Sequence, residues 1–300
     1  IRNFLFDFHI LNSKTHKTPI ICVGNLSIDG SGKTPHTSYI AQVLSEKFKV
    51  AILSRGYGRK SSGFNYVETN SNTDLVGDEP LQLKRNHTDC IVAVNENRNK
   101  GVQKILNDYP KINVILLDDG FQHRKIKAGL NIILTPFYNL FINDKLIPAG
   151  TLREPATEAK RANVILVTKT PEKITHKEKT NILESLNLNS NQKGYFSSIK
   201  YQRYRNINTN SILKNEQNYS ITLVCGIANP EPLTNYLKEK NRKATLIKFS
   251  DHHNYTLKDI KKILSVYNED KSTKKLILTT EKDATKLKQF SASLKTENVY

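Results

Sequence analysis

Between residues 18 and 169, short apolar runs alternate with longer polar stretches of helical character. The runs are PIICVG (19–24), VAILS (50–54), CIVAV (90–94), NVILLDD (113–119), LNIILT (130–135) and NVILVTK (163–169). They are apolar almost throughout and do not alternate with polar positions, which is the pattern of strands buried on both faces of a parallel sheet. Helices are predicted between them, for example over 34–47 and 97–106. This strand-then-helix rhythm predicts an α/β fold, a mostly parallel sheet flanked by helices.

The pattern changes from residue 171 to 218, a stretch rich in Asn, Lys and Ser. It predicts a helix followed by a linker hairpin, with strands over 195–200 and 201–207. A second α/β rhythm follows, in ITLVCGIA (221–228), ATLIKF (244–249) and KLILTT (275–280), with helices starting near Glu231, Thr256 and Glu281. The expected organisation is an N-terminal segment (1–17), a core domain (18–190), a linker hairpin (191–218) and a smaller C-terminal α/β lobe (219–300). No internal repeat of fixed period is present. In the first segment, Ile1, Phe4, Leu5, Phe8 and Leu11 fall at helical spacing, with Lys14, His16 and Lys17 after them. Two readings stand side by side: a helix packed on the domain, or an interfacial helix with aromatics among acyl chains and lysines on headgroups.

Composition narrows the choice of partners. The 300 residues carry 46 Lys and Arg against 28 Asp and Glu, a net charge of +18. Nucleic acid, phospholipid headgroups and phosphorylated small molecules all suit that excess. No apolar run approaches the roughly 20 residues that cross a bilayer, which excludes a polytopic membrane protein. Cys22, Cys90 and Cys225 lie far apart inside apolar runs, so they read as buried thiols of a reducing compartment and not as a zinc site. With no Met at all, the sequence is expected to start inside a longer chain, and any signal peptide would be hidden there.

The strongest chemical signal is Asp29-Gly30-Ser31-Gly32-Lys33-Thr34, after an apolar strand and before a helix. Phosphate oxygens need converging backbone N–H groups, and glycines let the backbone approach. Lys33 can then reach the β- and γ-phosphates of a nucleotide, and the Thr34 hydroxyl can ligate Mg²⁺. The predicted fold is therefore P-loop NTPase-like, although Ser27 stands where GxxxxGK[ST] has its first Gly. Such a loop needs an acidic partner at the end of another strand. NVILLDDGFQHR supplies Asp118 and Asp119 where the strand ends, and adjacent carboxylates there need a compensating cation.

Taken in order, VGNLSIDGSGKTP, SRGYGR, VGDEP, ENRNKG, LDDGFQHR, IPAGTLREP, CGIANP, DHHNY and TTEKD resemble the tetraacyldisaccharide 4′-kinase family of lipid A biosynthesis, over residues 23–283. That family tends to carry Ser or Thr at the position of Ser27, and usually Gly at that of Asp29. The resemblance implies transfer of the ATP γ-phosphoryl group to the 4′-hydroxyl of tetraacyldisaccharide 1-phosphate, at the cytoplasmic face of the bacterial inner membrane. It implies phosphate and Mg²⁺ roles for Lys33 and Thr34, with Asp118, Asp119 and Glu154 around the metal. Asp78 would be the base, paired with His252 and supported by Glu79. Arg55, Arg59, Asn97, Arg98, Gln122 and His123 would contact substrate. The implied partners are a glycolipid and an anionic membrane surface, with no nucleic acid and no obligate protein partner.

The chemistry of the dyad stands on its own. A sugar hydroxyl is a poor nucleophile, and a carboxylate within hydrogen-bond reach accepts its proton as attack proceeds. A histidine can orient that carboxylate. A cleft closing between the lobes would assemble the pair and limit wasteful ATP hydrolysis. Asp78 of Asp-Glu-Pro also suits a helix N-terminus, and the residues alone do not choose between His252 and His253. SRGYGRK (54–60) reads as a basic loop at a strand end that suits phosphate. Lys258 to Lys262 reads as a solvated helix face, and TTEKD (279–283) as a strand-to-helix junction with structural carboxylates. A nucleic-acid-binding P-loop ATPase would need aromatic-basic platforms or helicase-like motifs, and a GTPase an NKxD; neither set is found.

Overall fold

The computed structural model describes residues 2–28, 30–294 and 298–300. The chain divides into two units, Ile1–Ile199 and Lys200–Tyr300. The first runs α1 (Arg2–Asp7), β1 (Ile20–Asn25), α2 (Lys33–Ser45), β2 (Val50–Ser54), β3 (Asn65–Tyr66), α3 (Thr73–Val76), α4 (Asp78–Asn86), β4 (Ile91–Val94), α5 (Arg98–Asp108), β5 (Val114–Asp118), β6 (Leu130–Pro136), β7 (Val164–Thr168), α6 (His176–Ser185) and β8 (Lys193–Phe196). Among the described residues its strands form one eight-stranded sheet, ordered β3-β4-β2-β5-β1-β6-β7-β8. Only β3 runs antiparallel to its neighbour.

The unbroken apolar runs have the expected cause. Along β2, β4 and β5, alternate residues enter different cores: Leu53, Ala93 and Leu117 lie in one, Ile52, Val92 and Leu116 in the other. Fully burying each such aliphatic side chain is worth about 1.5–3 kcal/mol. All three cysteines are free and buried, and burial pushes the Cys22 thiol up to about 12, so it stays protonated.

The ends of elements shift by a few residues from expectation; α2, for example, is Lys33–Ser45. The small β3 and α3 were not anticipated. The hairpin expected over 195–200 and 201–207 is not formed. Lys193–Phe196 instead extends the main sheet, pairing in parallel with β7. The backbone carbonyl of Asn163 accepts from Lys193 N at 3.0 Å beside the first pairing residues. The only antiparallel pairing in the following stretch is the isolated bridge of Arg205 to Ile212, among described residues.

The second unit holds β9 (Ser220–Cys225), α7 (Glu231–Glu239), β10 (Ala244–Lys248), α8 (Leu257–Glu269), β11 (Lys275–Thr279), α9 (Glu281–Leu287) and α10 (Ser291–Leu294). Its three strands are parallel in the order β10-β9-β11. Thr256 with Asp259 makes a capping box that starts α8.

One glycine fixes how β1 meets the turn after β5. A Cβ on Gly24 would lie 2.6 Å from Phe121 Cβ and 3.1 Å from its backbone nitrogen. The turn carrying Asp119 therefore passes directly against β1. Gly24→Ala is expected to destabilise the protein by about 1–3 kcal/mol through overpacking, read from denaturant unfolding; an unchanged midpoint would contradict this tight crossing.

Candidate active site

The phosphate-loop residues follow β1, in the middle of the parallel sheet. Ligands of open α/β sheets bind beyond the carboxyl ends of the strands. Gly32 takes a left-handed conformation (φ 90°) at the N-terminus of α2, which only glycine adopts without strain. Two side chains hold the carbonyls of this turn. The Thr168 hydroxyl donates to Ser31 O at 2.8 Å, and His36 Nδ1 lies 2.7 Å from Gly32 O. A carbonyl only accepts, so Nδ1 carries a proton, and Nε2 meets the Ser197 hydroxyl at 2.9 Å. Burial holds this imidazole below its usual proton affinity, so it is neutral and accepts from Ser197. Asp29, expected to bind nucleotide, lies outside the described residues, and Gly30 is exposed.

Lys33, the first residue of α2, reaches Asn25 Oδ1 at 3.3 Å and Asp119 Oδ1 at 3.9 Å. The acidic pair sits at the end of β5, with Val23 of β1 in register with Asp118. The two carboxylates differ sharply. Asp118 is buried, accepts from the Thr37 hydroxyl at 2.8 Å through Oδ1, and has no hydrogen-bond partner at Oδ2. Burial, with Glu79 adding to it, pushes its carboxyl up to about 7 despite the Thr37 bond. Burial also raises Asp119, but Lys33 and Arg153 outweigh it and hold that carboxyl below the usual range. Arg153 clasps it with both guanidinium nitrogens, at 2.9 and 3.2 Å, and also donates to Asn25.

Glu154, expected near the metal, makes three hydrogen bonds. Its oxygens are taken by Arg2 at 3.0 Å, Asn3 at 3.2 Å and Arg161 at 2.7 Å. It is a buried ion-pair node joining α1 to this loop. Arg161 also binds Glu158 at 2.6 Å and lies over the Phe121 ring. Among the described residues no three His, Cys, Asp or Glu side chains converge as a metal cage.

The expected substrate contacts fall into two sets. Arg98 opens α5 and is 2% exposed; it donates to Asn95 O, and its Nε and second terminal nitrogen find no partner. Burial lowers it to about 10, with Asp119 and Asp118 opposing, so it remains a cation. His123 is pushed down to about 4 by burial, reinforced by Arg98 and Arg55, and is therefore neutral near pH 7. Gln122 donates to Asn25 O at 2.8 Å while its Oε1 is buried without a partner. Arg55 is exposed.

Arg59 and Asn97 each make structural contacts, although Arg59 Nε and one terminal nitrogen are buried with no partner. Arg59 is buried against Glu96 and donates to Gly63 O at 2.7 Å, which closes the SRGYGR loop on itself. Asn97 caps α5, its Oδ1 accepting from Lys100 N at 3.1 Å. Asp78, buried, is the first residue of α4, with Glu79 beside it and Gly77 (φ 89°) before it; the Asp78 Oδ1 accepts from Glu79 N at 3.0 Å. In the second unit, His252 has a left-handed backbone (φ 56°) and its Nε2 lies 3.0 Å from Lys282 Nζ. His253 is built into the fold: it meets Asp259 of the α8 capping box at 3.1 Å and stacks on Phe249.

Asn25, Thr37 and Arg153 are site residues that the sequence reading missed. The signal for Asn25 was an Asn ending a buried apolar strand, and Arg153 was the unweighted neighbour in LREP. Strand-like pairing of 26–28 with 151–153 brings that loop in, through Arg153 N to Leu26 O at 2.7 Å and Ile28 N to Thr151 O at 2.9 Å.

The family profile described as tetraacyldisaccharide-1-P 4′-kinase matches residues 1–300. A tetraacyldisaccharide 4′-kinase of Bacteroides fragilis is 43% identical over 295 residues, 96% of this chain and 78% of that protein. One of Flavobacterium johnsoniae is 42% identical over 289 residues, 96% of this chain and 83% of its own. The crystal structure of an "apo" form of LpxK from Aquifex aeolicus in complex with ATP is similar with a TM-score of 0.73 and 30% identity. The match covers 99% of this chain and 86% of that one.

The raised Asp118 has a measurable consequence in the ligand-free protein. A carboxyl whose proton affinity is higher folded than unfolded contributes stability below pH 3.8, its unfolded value, and loses it as pH rises through about 7. The stability of Asp118→Asn relative to the parent should therefore rise across that window and level off above it. Parallel pH series of urea unfolding would show this, and a flat difference would contradict it.

Proposed function

The chain belongs to the tetraacyldisaccharide-1-P 4′-kinase family, and from that premise we propose that it transfers the γ-phosphoryl group of ATP to the 4′-hydroxyl of a tetraacyldisaccharide 1-phosphate, giving lipid IVA in lipid A biosynthesis. One juxtaposition carries the reading: the Gly32-Lys33-Thr34 turn and the Asp118–Asp119 pair share one edge of the sheet.

The turn residues and the N-terminus of α2 cradle the phosphates, and Lys33 neutralises charge growing on the transferring group. The acceptor oxygen forms the new bond to the γ-phosphorus as the bond to the β-phosphate oxygen breaks, releasing ADP. Asp78 takes the hydroxyl proton, with His252 as its partner and Glu79 in support. Asp118 offers a buried oxygen with no partner, and with the Thr34 hydroxyl it makes a hard-oxygen donor set suited to Mg²⁺. When bound there, Mg²⁺ would screen the negative charge of the β- and γ-phosphates. Asp119, clasped by Arg153 and Lys33, orders the loop around that position. Arg98 brings buried, unpaired donors to an anionic group of the acceptor, with Arg55, Gln122 and His123 beside it.

The attachment we propose is peripheral, on the cytoplasmic face of the inner membrane. Among the described residues no helix is long and apolar enough to cross a membrane. Phe6 is buried under α1, whereas Phe4, Phe8 and Ile10 are 56%, 64% and 64% exposed. These residues, with nearby Lys14 and Lys17, suit acyl chains and anionic headgroups.

Labelled ATP with detergent-solubilised tetraacyldisaccharide 1-phosphate, and separately with DNA, tests the reaction. Phosphorylated lipid should form, and Asp78→Ala and Lys33→Ala should each lose at least about 10²-fold in rate. DNA-stimulated hydrolysis without lipid product would overturn the reading. In vesicle flotation, binding to anionic lipid should weaken with salt and leave a salt-resistant remainder that Phe8→Ser diminishes. Salt-independent binding would argue against the electrostatic share.

A further inference from the structure

The TTEKD motif has two jobs in the second unit. Asp283 is structural: it is buried and accepts from Tyr255 Oη at 3.0 Å, Gly226 N at 2.9 Å and the Thr280 hydroxyl at 2.7 Å. Lys282, one residue earlier, faces different chemistry. Its Nζ lies 2.9 Å from Asp251 Oδ1 and 3.0 Å from His252 Nε2. It is the second residue of α9, where a cation opposes the helix dipole at about 0.3–1 kcal/mol. A residue that goes against a local preference marks a position held for another purpose.

An ammonium group has three donors and no acceptor. A nitrogen 3.0 Å from it can meet it favourably only by accepting, so Nε2 must carry a lone pair. A neutral imidazole with a lone pair on Nε2 has its proton on Nδ1. A second proton on Nε2 would set two N–H groups against each other beside a full positive charge. Asp251 fixes the other end of the arrangement: it holds the lysine, and its Oδ1 also accepts from His252 N at 3.0 Å, bracing the left-handed turn (φ 56°). Asp251 Oδ2, at 3.9 Å from Nε2, is too far to compete for a proton there.

We propose that Lys282 is the positioning residue of His252, its ammonium donating to Nε2 and holding the imidazole neutral with the proton on Nδ1. His252 thus presents an N–H donor through Nδ1, which is what orienting a carboxylate base requires. Lys282 touches neither phosphate nor hydroxyl in this role. The inference rests on the assignment of His252 as partner to Asp78 for its effect on rate, but not for its effect on the ring.

The two are separated by measuring both. Nitrogen-15 correlation spectra of the imidazoles in the full-length protein, with His252 assigned through His252→Gln, report which ring nitrogen bears the proton. The parent should show His252 protonated on Nδ1. Lys282→Met should move the proton to Nε2 and lower kcat about 10- to 100-fold with little change in KM for ATP. Lys282→Arg, which still donates, should restore the Nδ1 form and much of the rate. Unaltered amide spectra away from residues 250–254 and 280–284 establish that the variants are folded. An Nε2-protonated His252 in the parent, or a ring unchanged in Lys282→Met, overturns the inference. Full activity of His252→Gln overturns the dyad while the ring measurement still decides the role of Lys282.

Discussion

Parallel pairing of β1 with β5 puts the end of one strand beside the end of the other, and everything acidic or phosphate-binding in the first unit follows from that. With Val23 opposite Asp118, the loop leaving β1 and the turn leaving β5 must emerge at the same edge. Two carboxylates and a lysine are thereby forced within a few ångströms. Such a cluster persists only if each charge is answered. Lys33 and Arg153 answer Asp119, whereas Asp118 is left buried with one oxygen unspent. Neighbouring residues of one strand end therefore stand in opposite protonation tendencies, because the pleat turns one inward and the turn swings the other toward cations.

The supporting shell is built from atoms that make no contact with the phosphates themselves. Thr168 and His36 hold the carbonyls of Ser31 and Gly32 in the turn. Thr37, one turn along α2, ties the helix to Asp118. The helix that follows the phosphate loop is thus also tied to the acid pair.

Much of this was legible beforehand. Six apolar runs named the parallel strands because burial on both faces removes polar alternation, and the Gly-Lys-Thr turn and Asp-Asp pair were visible as short motifs at strand ends. What escaped was set by three-dimensional choices that single residues do not announce. The resemblance alone put Glu154 near the metal, and nothing in the motif announces its neighbours in space, Arg161 together with Arg2 and Asn3 from the distant start of the sequence. Arg59 and Asn97 also carry local structure, in an ion pair with Glu96 and in a helix cap, which their motifs alone do not announce. The stretch after residue 190 misled for another reason: a short polar strand at a sheet edge has the same composition as a hairpin linker, and only its partner distinguishes them. Nor does the sequence announce that His253 is engaged by Asp259 of the α8 cap.

The ion pairs of Glu154 turn residues 2–7 into something other than an appendage. Arg2 and Asn3 hold the same carboxylate as Arg161, and Asp7 holds Arg124. Removing residues 2–7 would leave buried Glu154 with Arg161 as its single cation and Arg124 without Asp7. The exposed aromatic segment is thus tied by its charges to the loop that carries Arg153 and Glu154.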